Sequence, residues 1–123
     1  MQFIKKYKFT IIVAIIILVA ILMPASDIPS VGIPYMDKLV HCSMFGGLVF
    51  VFYCEYYYQY NKYPKEWYVI IIVALYAALT EVLQLFIEGR SCDFLDWMTD
   101  CIGMFLAIGI FYIGIKIYIT KHK

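Results

Sequence analysis

The sequence predicts an all-α integral membrane protein, a four-helix bundle with both termini in the cytoplasm. Hydrophobic residues make up 64% of the 123-residue chain, compared with roughly 45–50% in soluble domains. These residues fall into four apolar stretches, each close to the roughly 20 residues that a helix needs to cross a bilayer. A soluble protein of this size would need a polar shell that this sequence does not contain. Residues 1–123 are therefore predicted to form a single transmembrane domain.

The four predicted spans cover residues 7–24, 38–58, 67–87 and 94–119. The first is rich in Ile, Val and Leu and carries no charge after Lys8. A cleaved signal peptide is the alternative for this segment, but residues 23–25 are a poor small-x-small cleavage site, which favours a retained span. Small residues such as Gly46, Ala78 and Gly103 would let the later spans approach one another closely.

The segment between the first two spans, residues 25–36, contains three turn-forming signals and no helical period. It is long enough to be either an ordinary connector or a lid over the outer face.

The basic residues predict the orientation of the spans. Eight of the ten Lys and Arg residues precede the first span, lie between the second and third, or lie at the end of the fourth. They are Lys5, Lys6, Lys8, Lys62, Lys65, Lys116, Lys121 and Lys123. Only Lys38 and Arg90 lie on the opposite side. Because cations concentrate in cytoplasmic loops, both termini are predicted to be cytoplasmic, and the aromatic residues between 53 and 68 resemble an interfacial belt on the same side.

The acidic residues are distributed in the opposite way. Seven of the nine lie at the predicted outer face or enter the spans from it: Asp27, Asp37, Glu81, Glu88, Asp93, Asp96 and Asp100. A charged group at the centre of the bilayer costs about 2.5–3.5 kcal/mol on insertion scales, so such groups usually face the protein interior. Some of these acids are therefore expected to share protons, to pair with His41, Lys38 or Arg90, or to bind a cation.

Helical spacing predicts that polar residues from three spans converge. Each span carries polar residues three or four positions apart, which lie on one side of a helix. The pairs are Asp37 with His41, Glu81 with Gln84, and Asp96 with Asp100. Each stripe begins at the outer boundary of its span. His41, Glu81 and Asp100 should therefore lie at similar depth and line one cavity.

Such a cluster supports several kinds of chemistry. Carboxylates and an imidazole can act as general acid and base when their environments separate their pKa values. The same side chains would suit a divalent cation, although no specific metalloenzyme spacing is present. The cluster could instead be a structural hydrogen-bond network that fastens three helices, or a small proton or ion path.

Three motifs occur in order along the last three spans. They are Asp37-Lys38-x-x-His41, Glu81-x-x-Gln84, and Arg90-Ser91 followed by Asp96-x-x-x-Asp100-x-x-Gly103. In these motifs the chain resembles the VanZ-like family of small bacterial membrane proteins. That family more often has Asn at the position of Asp100, so the present chain adds a carboxyl group there. The resemblance implies a multi-pass protein of the bacterial plasma (inner) membrane in a cell-envelope context, and the family's namesake is associated with low-level resistance to the glycopeptide teicoplanin.

The resulting hypothesis is a site that binds or modifies an envelope lipid or lipid-linked molecule. His41 and Glu81 are the acid–base candidates, and Asp96 and Asp100 would orient or ligate. The predicted ligand-binding residues are Asp37, Lys38, Gln84 and Arg90. Within that set, Lys38 and Arg90 would hold an anionic group. The alternative is a non-enzymatic membrane module that acts through a partner. No cofactor is predicted, although the cluster could bind a divalent cation. The expected partners are membrane lipids and not nucleic acid, since the net charge is only +1.

Overall fold

The computed structural model describes residues 2–22, 36–87 and 94–121, with the side chains of residues 2, 3 and 36–38 left aside. The described residues are almost entirely helical and contain no strand, which confirms the predicted all-α class. The helices are α1 (Gln2–Lys6), α2 (Lys8–Ile21), α3 (Met36–Tyr60), α4 (Glu66–Gln84) and α5 (Phe94–Lys121).

Among the described residues, three helices are long and apolar enough to cross a membrane, over Leu39–Tyr60 in α3, Glu66–Gln84 in α4 and Phe94–Lys121 in α5. They correspond to the second, third and fourth predicted spans. The third span was predicted to reach Ile87, whereas α4 ends at Gln84. After it, the backbone N–H groups of Leu85, Phe86 and Ile87 each bond to the carbonyl three residues earlier. These shorter bonds tighten the chain into turns beyond the helix.

The first predicted span corresponds to α2, a shorter apolar helix of 14 residues. At 1.5 Å per residue it extends about 21 Å, which is less than the bilayer core. Tyr7 separates α1 from α2, because its φ of −121° and ψ of 31° depart from helical values. The predicted end of this span, at residue 24, lies outside the described residues.

The start of α2 is fixed to α3 by the carboxylate of Glu55. This group accepts hydrogen bonds from the backbone N–H of Phe9 at 3.2 Å and of Thr10 at 2.8 Å, and from the Thr10 hydroxyl at 2.6 Å. The first N–H groups of a helix have no partner within the helix, and they carry partial positive charge. Glu55 therefore caps α2 from a neighbouring helix. Further along, the hydroxyl of Tyr76 in α4 donates to the carbonyl of Ala14 at 2.7 Å.

Helices α3 and α5 form the most extensive helix pair in the described structure. Their backbones meet at Gly103, where an added Cβ would overlap the backbone of Cys42. An added Cβ at Gly46 would lie 3.0 Å from the carbonyl oxygen of Gly103. The prediction that Gly103 lets another helix approach is therefore confirmed. Further along both helices, Val49 and Tyr53 of α3 pack with Met104, Ala107 and Phe111 of α5 in one buried cluster.

Consecutive helices from α2 to α5 run in opposite directions, so the bundle has two distinct ends. The first, which we name the tyrosine end, holds the α3–α4 turn and a cluster of aromatic rings that includes Tyr53, Tyr57, Tyr63 and Phe111. The second, which we name the site end, is where α4 finishes and where α3 and α5 begin. Residue 2 and residue 121 both lie toward the tyrosine end. The side of the membrane that this end faces stays a prediction.

Candidate functional site

The candidate site lies at the site end, inside the start or finish of three helices. His41 lies five residues into α3, Asp100 six residues into α5, and Glu81 three residues before the end of α4. These offsets correspond to about 5–9 Å along each helix axis. The three residues therefore lie at similar depth, as their spacing in the sequence predicts.

The imidazole of His41 is surrounded by carboxyl groups. Its Nδ1 atom lies 3.0 Å from Oδ1 of Asp100, which is hydrogen-bonding distance. The same nitrogen is 3.9 Å from Oε1 of Glu81, and Nε2 is 4.0 Å from Oδ2 of Asp96. All four side chains are buried, with His41 5% exposed and Asp100 fully enclosed. The predicted proximity of His41, Glu81 and Asp100 is observed, whereas the cavity that they were predicted to line stays a prediction.

Two local features of the sequence bring these groups together: helical spacing and a close approach of two backbones. Asp96 and Asp100 are four residues apart, so they lie on one face of α5, and Gly103 continues that face. Because Gly103 touches the backbone of Cys42, the first turns of α3 and α5 are brought into contact. His41 precedes Cys42 and is thereby held against Asp100. The backbone contact at Cys42 and the side-chain contact of His41 therefore involve adjacent residues of α3.

Gln84 and Thr80 are buried polar residues of α4 on either side of Glu81. Gln84 follows Glu81 by three residues and therefore lies on the same side of the helix, as predicted. The hydroxyl of Thr80 donates to the carbonyl of Ala77 at 2.7 Å, within its own helix. This bond satisfies a buried hydroxyl locally, and it assigns Thr80 to the scaffold.

Trp97 is a positioning residue that sequence reasoning did not identify. Its indole Nε1 donates to the carbonyl of Ala74 at 3.0 Å and so ties α5 to α4. Trp97 adjoins Asp96, and Ala74 lies two turns before Glu81. A tryptophan near a predicted membrane boundary is usually an interfacial residue, so composition offered no signal for this contact.

Three of the predicted ligand-binding side chains are not part of the described structure. Asp37 and Lys38 belong to the first turn of α3, but their side chains are not described, and Arg90 lies outside the described residues. The proposed lid also lies outside them, except for Met36. The roles assigned to these residues stay predictions.

The arrangement can exchange protons or bind a cation. When Nδ1 carries the hydrogen, Asp100 accepts it and fixes the ring, and Nε2 of the neutral imidazole keeps a lone pair. Alternatively, one donor atom from each of His41, Glu81 and Asp100 lies within 4.8 Å of the others. Two ligands bound to one ion at about 2.1 Å are roughly 3.0–3.5 Å apart, so a small inward movement would bring all three onto one ion.

The comparison with known proteins identifies one family. The family described as VanZ/LLP1 matches residues 1–116, which include every helix of the bundle apart from the last residues of α5. No curated protein matches the chain. No solved structure matches it either.

Proposed function

The chain belongs to the VanZ-like family, and from that premise we propose that it binds or modifies an envelope lipid or lipid-linked molecule at the site end. One observation carries the proposal. The imidazole of His41 is buried among carboxyl groups from two other helices, with Nδ1 3.0 Å from Oδ1 of Asp100. Burying several ionisable groups together is costly in hydration, and apolar side chains would pack such a junction at lower cost. Ionisable groups kept in a membrane-spanning bundle are, by default, candidates for function.

In this proposal each residue has a distinct role. Asp100 orients the imidazole of His41, and Nε2 takes a proton from the polar part of the ligand. Glu81 is the second acid–base group, and Asp96, 4.0 Å from Nε2, lies on the side of the ring that would face the ligand. Gln84 contributes an amide for hydrogen bonding. Outside the described side chains, Asp37 contributes a further polar contact, while Lys38 and Arg90 would hold an anionic group such as a phosphate.

The site end is proposed to face the outside of a bacterial plasma membrane, where lipid-linked envelope precursors are exposed. The family context supplies a readout, since binding or modifying such a molecule would change susceptibility to teicoplanin. Both the location and the phenotype are part of the proposal.

The experiment removes charge while keeping shape. Glu81→Gln and Asp100→Asn would be produced in a bacterial host at matched membrane levels, and the minimal inhibitory concentration of teicoplanin would be measured. We expect both variants to return susceptibility to that of the host without the protein. Glu66→Gln, which alters a carboxyl at the tyrosine end, is the matched control and should behave like the unmodified protein.

Two results would contradict the proposal. If the unmodified protein leaves susceptibility unchanged, the link to teicoplanin is wrong. If the protein has an effect that both charge-removing variants retain, while their thermal stability in detergent falls, the cluster is a structural network and not a working site.

A divalent cation is the second candidate for the same site. Two observations favour it: the three donor atoms lie within 4.8 Å of one another, and Oδ2 of the fully buried Asp100 has no hydrogen-bond partner among the described residues. One imidazole and two carboxylates form a donor set suited to Mn²⁺, Fe²⁺ or Zn²⁺. Bound there, the ion would replace the hydrogen on Nδ1 and neutralise two carboxylates. His41 would then be a ligand, and proton transfer would pass to Asp96.

A further inference from the structure

A cavity of about 580 Å³ opens at the tyrosine end between the start of α2 and the last turns of α3. Three lysines line it, Lys5 and Lys6 from α1 and Lys8 from α2, together with a single carboxylate, Glu55. It lies at the opposite end of the bundle from the candidate site, and none of its lining residues takes part in the proposed function.

The lysines of this cavity have no acidic partner within the described structure. The ammonium group of Lys6 donates to the hydroxyl of Tyr60 at 3.4 Å and lies 5.6 Å from the centre of that ring. The ammonium of Lys8 lies 5.1 Å from the centre of the Phe9 ring. Aromatic groups stabilise a cation but do not neutralise it. None of the three forms an ion pair with a carboxylate of the described residues.

Glu55 cannot balance these charges, because it is already engaged. Both of its oxygens accept hydrogen bonds from the first turn of α2, at 2.6–3.2 Å. The partial positive charge of that helix start offsets much of the carboxylate's charge. The cavity therefore presents three cations against one carboxylate that is directed toward α2, and an anion would complete it.

Apolar surface lies directly beside the charge. Phe9 and Tyr58 both line the cavity and are both exposed, Tyr58 by 91%. In a protein with membrane-spanning helices, such exposed rings at a helix end face the lipid interface. A ligand with an anionic head and an apolar body would match both parts of the surface.

We propose that this cavity binds the headgroup phosphate of an anionic phospholipid, with the acyl chains lying along the exposed surface of α2 and α3. Basic pockets near the ends of membrane-spanning helices bind anionic headgroups because each lysine attracts the negative charge of the lipid. The lipid would fasten the basic α1 and the start of α2 to the membrane surface. This site is independent of the chemistry at the other end of the bundle.

The test compares two triple variants that change net charge equally at the same end of the bundle. The first is Lys5→Gln/Lys6→Gln/Lys8→Gln, and the control is Lys62→Gln/Lys65→Gln/Lys116→Gln. Delipidated protein in a neutral detergent would be titrated with dioleoyl phosphatidylglycerol, and bound lipid would be counted by native mass spectrometry. We expect one tightly bound lipid on the unmodified protein and on the control, and affinity reduced ten-fold or more in the cavity variant. Zwitterionic dioleoyl phosphatidylcholine should bind at least ten-fold more weakly to the unmodified protein.

Several outcomes would overturn the proposal. Equal losses in the two triple variants would show attraction by diffuse charge and not by this cavity. Equal binding of the two lipids would show that the headgroup charge is irrelevant. Displacement of the lipid by an equimolar amount of inorganic phosphate would identify a site for the free ion. Because Lys6 also contacts Tyr60, the double variant Lys5→Gln/Lys8→Gln provides the same test if the triple variant fails to fold, with an expected loss of about five-fold or more.

Discussion

Asp100 is the residue on which the chemistry of the site depends most. One of its oxygens is 3.0 Å from Nδ1 of His41, while the other has no hydrogen-bond partner among the described residues. An amide at this position could still bond to the imidazole, but it would bring no negative charge. The carboxyl therefore raises the negative charge around His41 and makes cation binding more favourable.

Cation binding by His41, Glu81 and Asp100 can be measured directly. Metal-free protein in detergent should bind about one equivalent of Mn²⁺, measured by the loss of the free-ion signal in electron paramagnetic resonance. Asp100→Asn and Glu81→Gln should each weaken binding ten-fold or more, because each removes an anionic ligand. Mn²⁺ is the appropriate probe since it prefers oxygen ligands, whereas Zn²⁺ would also bind the free thiols of Cys42, Cys54 and Cys101.

The control for this titration is Glu66→Gln, which should bind Mn²⁺ like the unmodified protein. Unchanged affinity in Asp100→Asn would place any bound ion elsewhere and remove the cation from the site. The measurement is separate from any effect on teicoplanin, so the two proposed functions can fail independently.

The sequence predicts the central residues of the site but not the contacts that hold them. His41, Glu81 and Asp100 could be predicted because ionisable residues are conspicuous in apolar spans and helical spacing fixes their faces. Glu55 and Trp97 could not be predicted in their observed roles, because each bonds to backbone atoms of another helix, 45 or 46 residues away for Glu55 and 23 for Trp97. Backbone acceptors and donors occur at every residue, so the sequence carries no signal for which one is used.

At the scale of the helix, α2 depends on tertiary contacts for its position. It is shorter than the other apolar helices, and the non-helical residue Tyr7 separates it from α1. The predicted start of the first span, at residue 7, agrees to within one residue with the start of α2 at Lys8. The observed break lets the first turn of α2 meet Glu55.

Replacing Glu55 by Gln should loosen α2. The neutral amide is a weaker acceptor for the N–H groups of Phe9 and Thr10 and loses the favourable interaction with the helix dipole. We expect a loss of about 1–2 kcal/mol in the free energy of unfolding, comparable with the loss of a strong N-cap. Unfolding in a detergent–denaturant titration measures this value, and hydrogen exchange should show faster exchange at residues 9 and 10.

The exposed Lys62→Gln serves as the control for Glu55→Gln, because it also changes one charge at the tyrosine end. An unfolding free energy equal to that of the control, with exchange at residues 9 and 10 unchanged, would show that Glu55 does not cap α2.

At the scale of the whole molecule, the alternating directions of α2 to α5 bring α1 and residue 121 to the same end of the bundle. Lys5, Lys62 and Lys121, which were predicted to lie together on the cytoplasmic side, also lie at that end. We therefore expect a fluorescent reporter fused after Lys123 to fold in the cytoplasm, and a phosphatase that is active only outside the cytoplasm to be inactive there. An active phosphatase at this position would reverse the orientation and move the candidate site to the cytoplasmic face.

The contact between Gly103 and Cys42 has a mechanical consequence for the site. Helices α3 and α5 share the most extensive packing among the described helices, and their backbones approach most closely at Gly103 and Cys42, so we expect the His41–Asp100 pair to be the most rigid part of the site. Glu81 belongs to α4, which has little direct contact with α3 and is held to α5, in part, by the Trp97–Ala74 hydrogen bond. We therefore expect any widening of the site to come from displacement of α4, which would carry Glu81 away from the His41–Asp100 pair. If the proposed ligand enters beside α4, the Trp97–Ala74 hydrogen bond should be the first contact to change, and Trp97 fluorescence would report that binding.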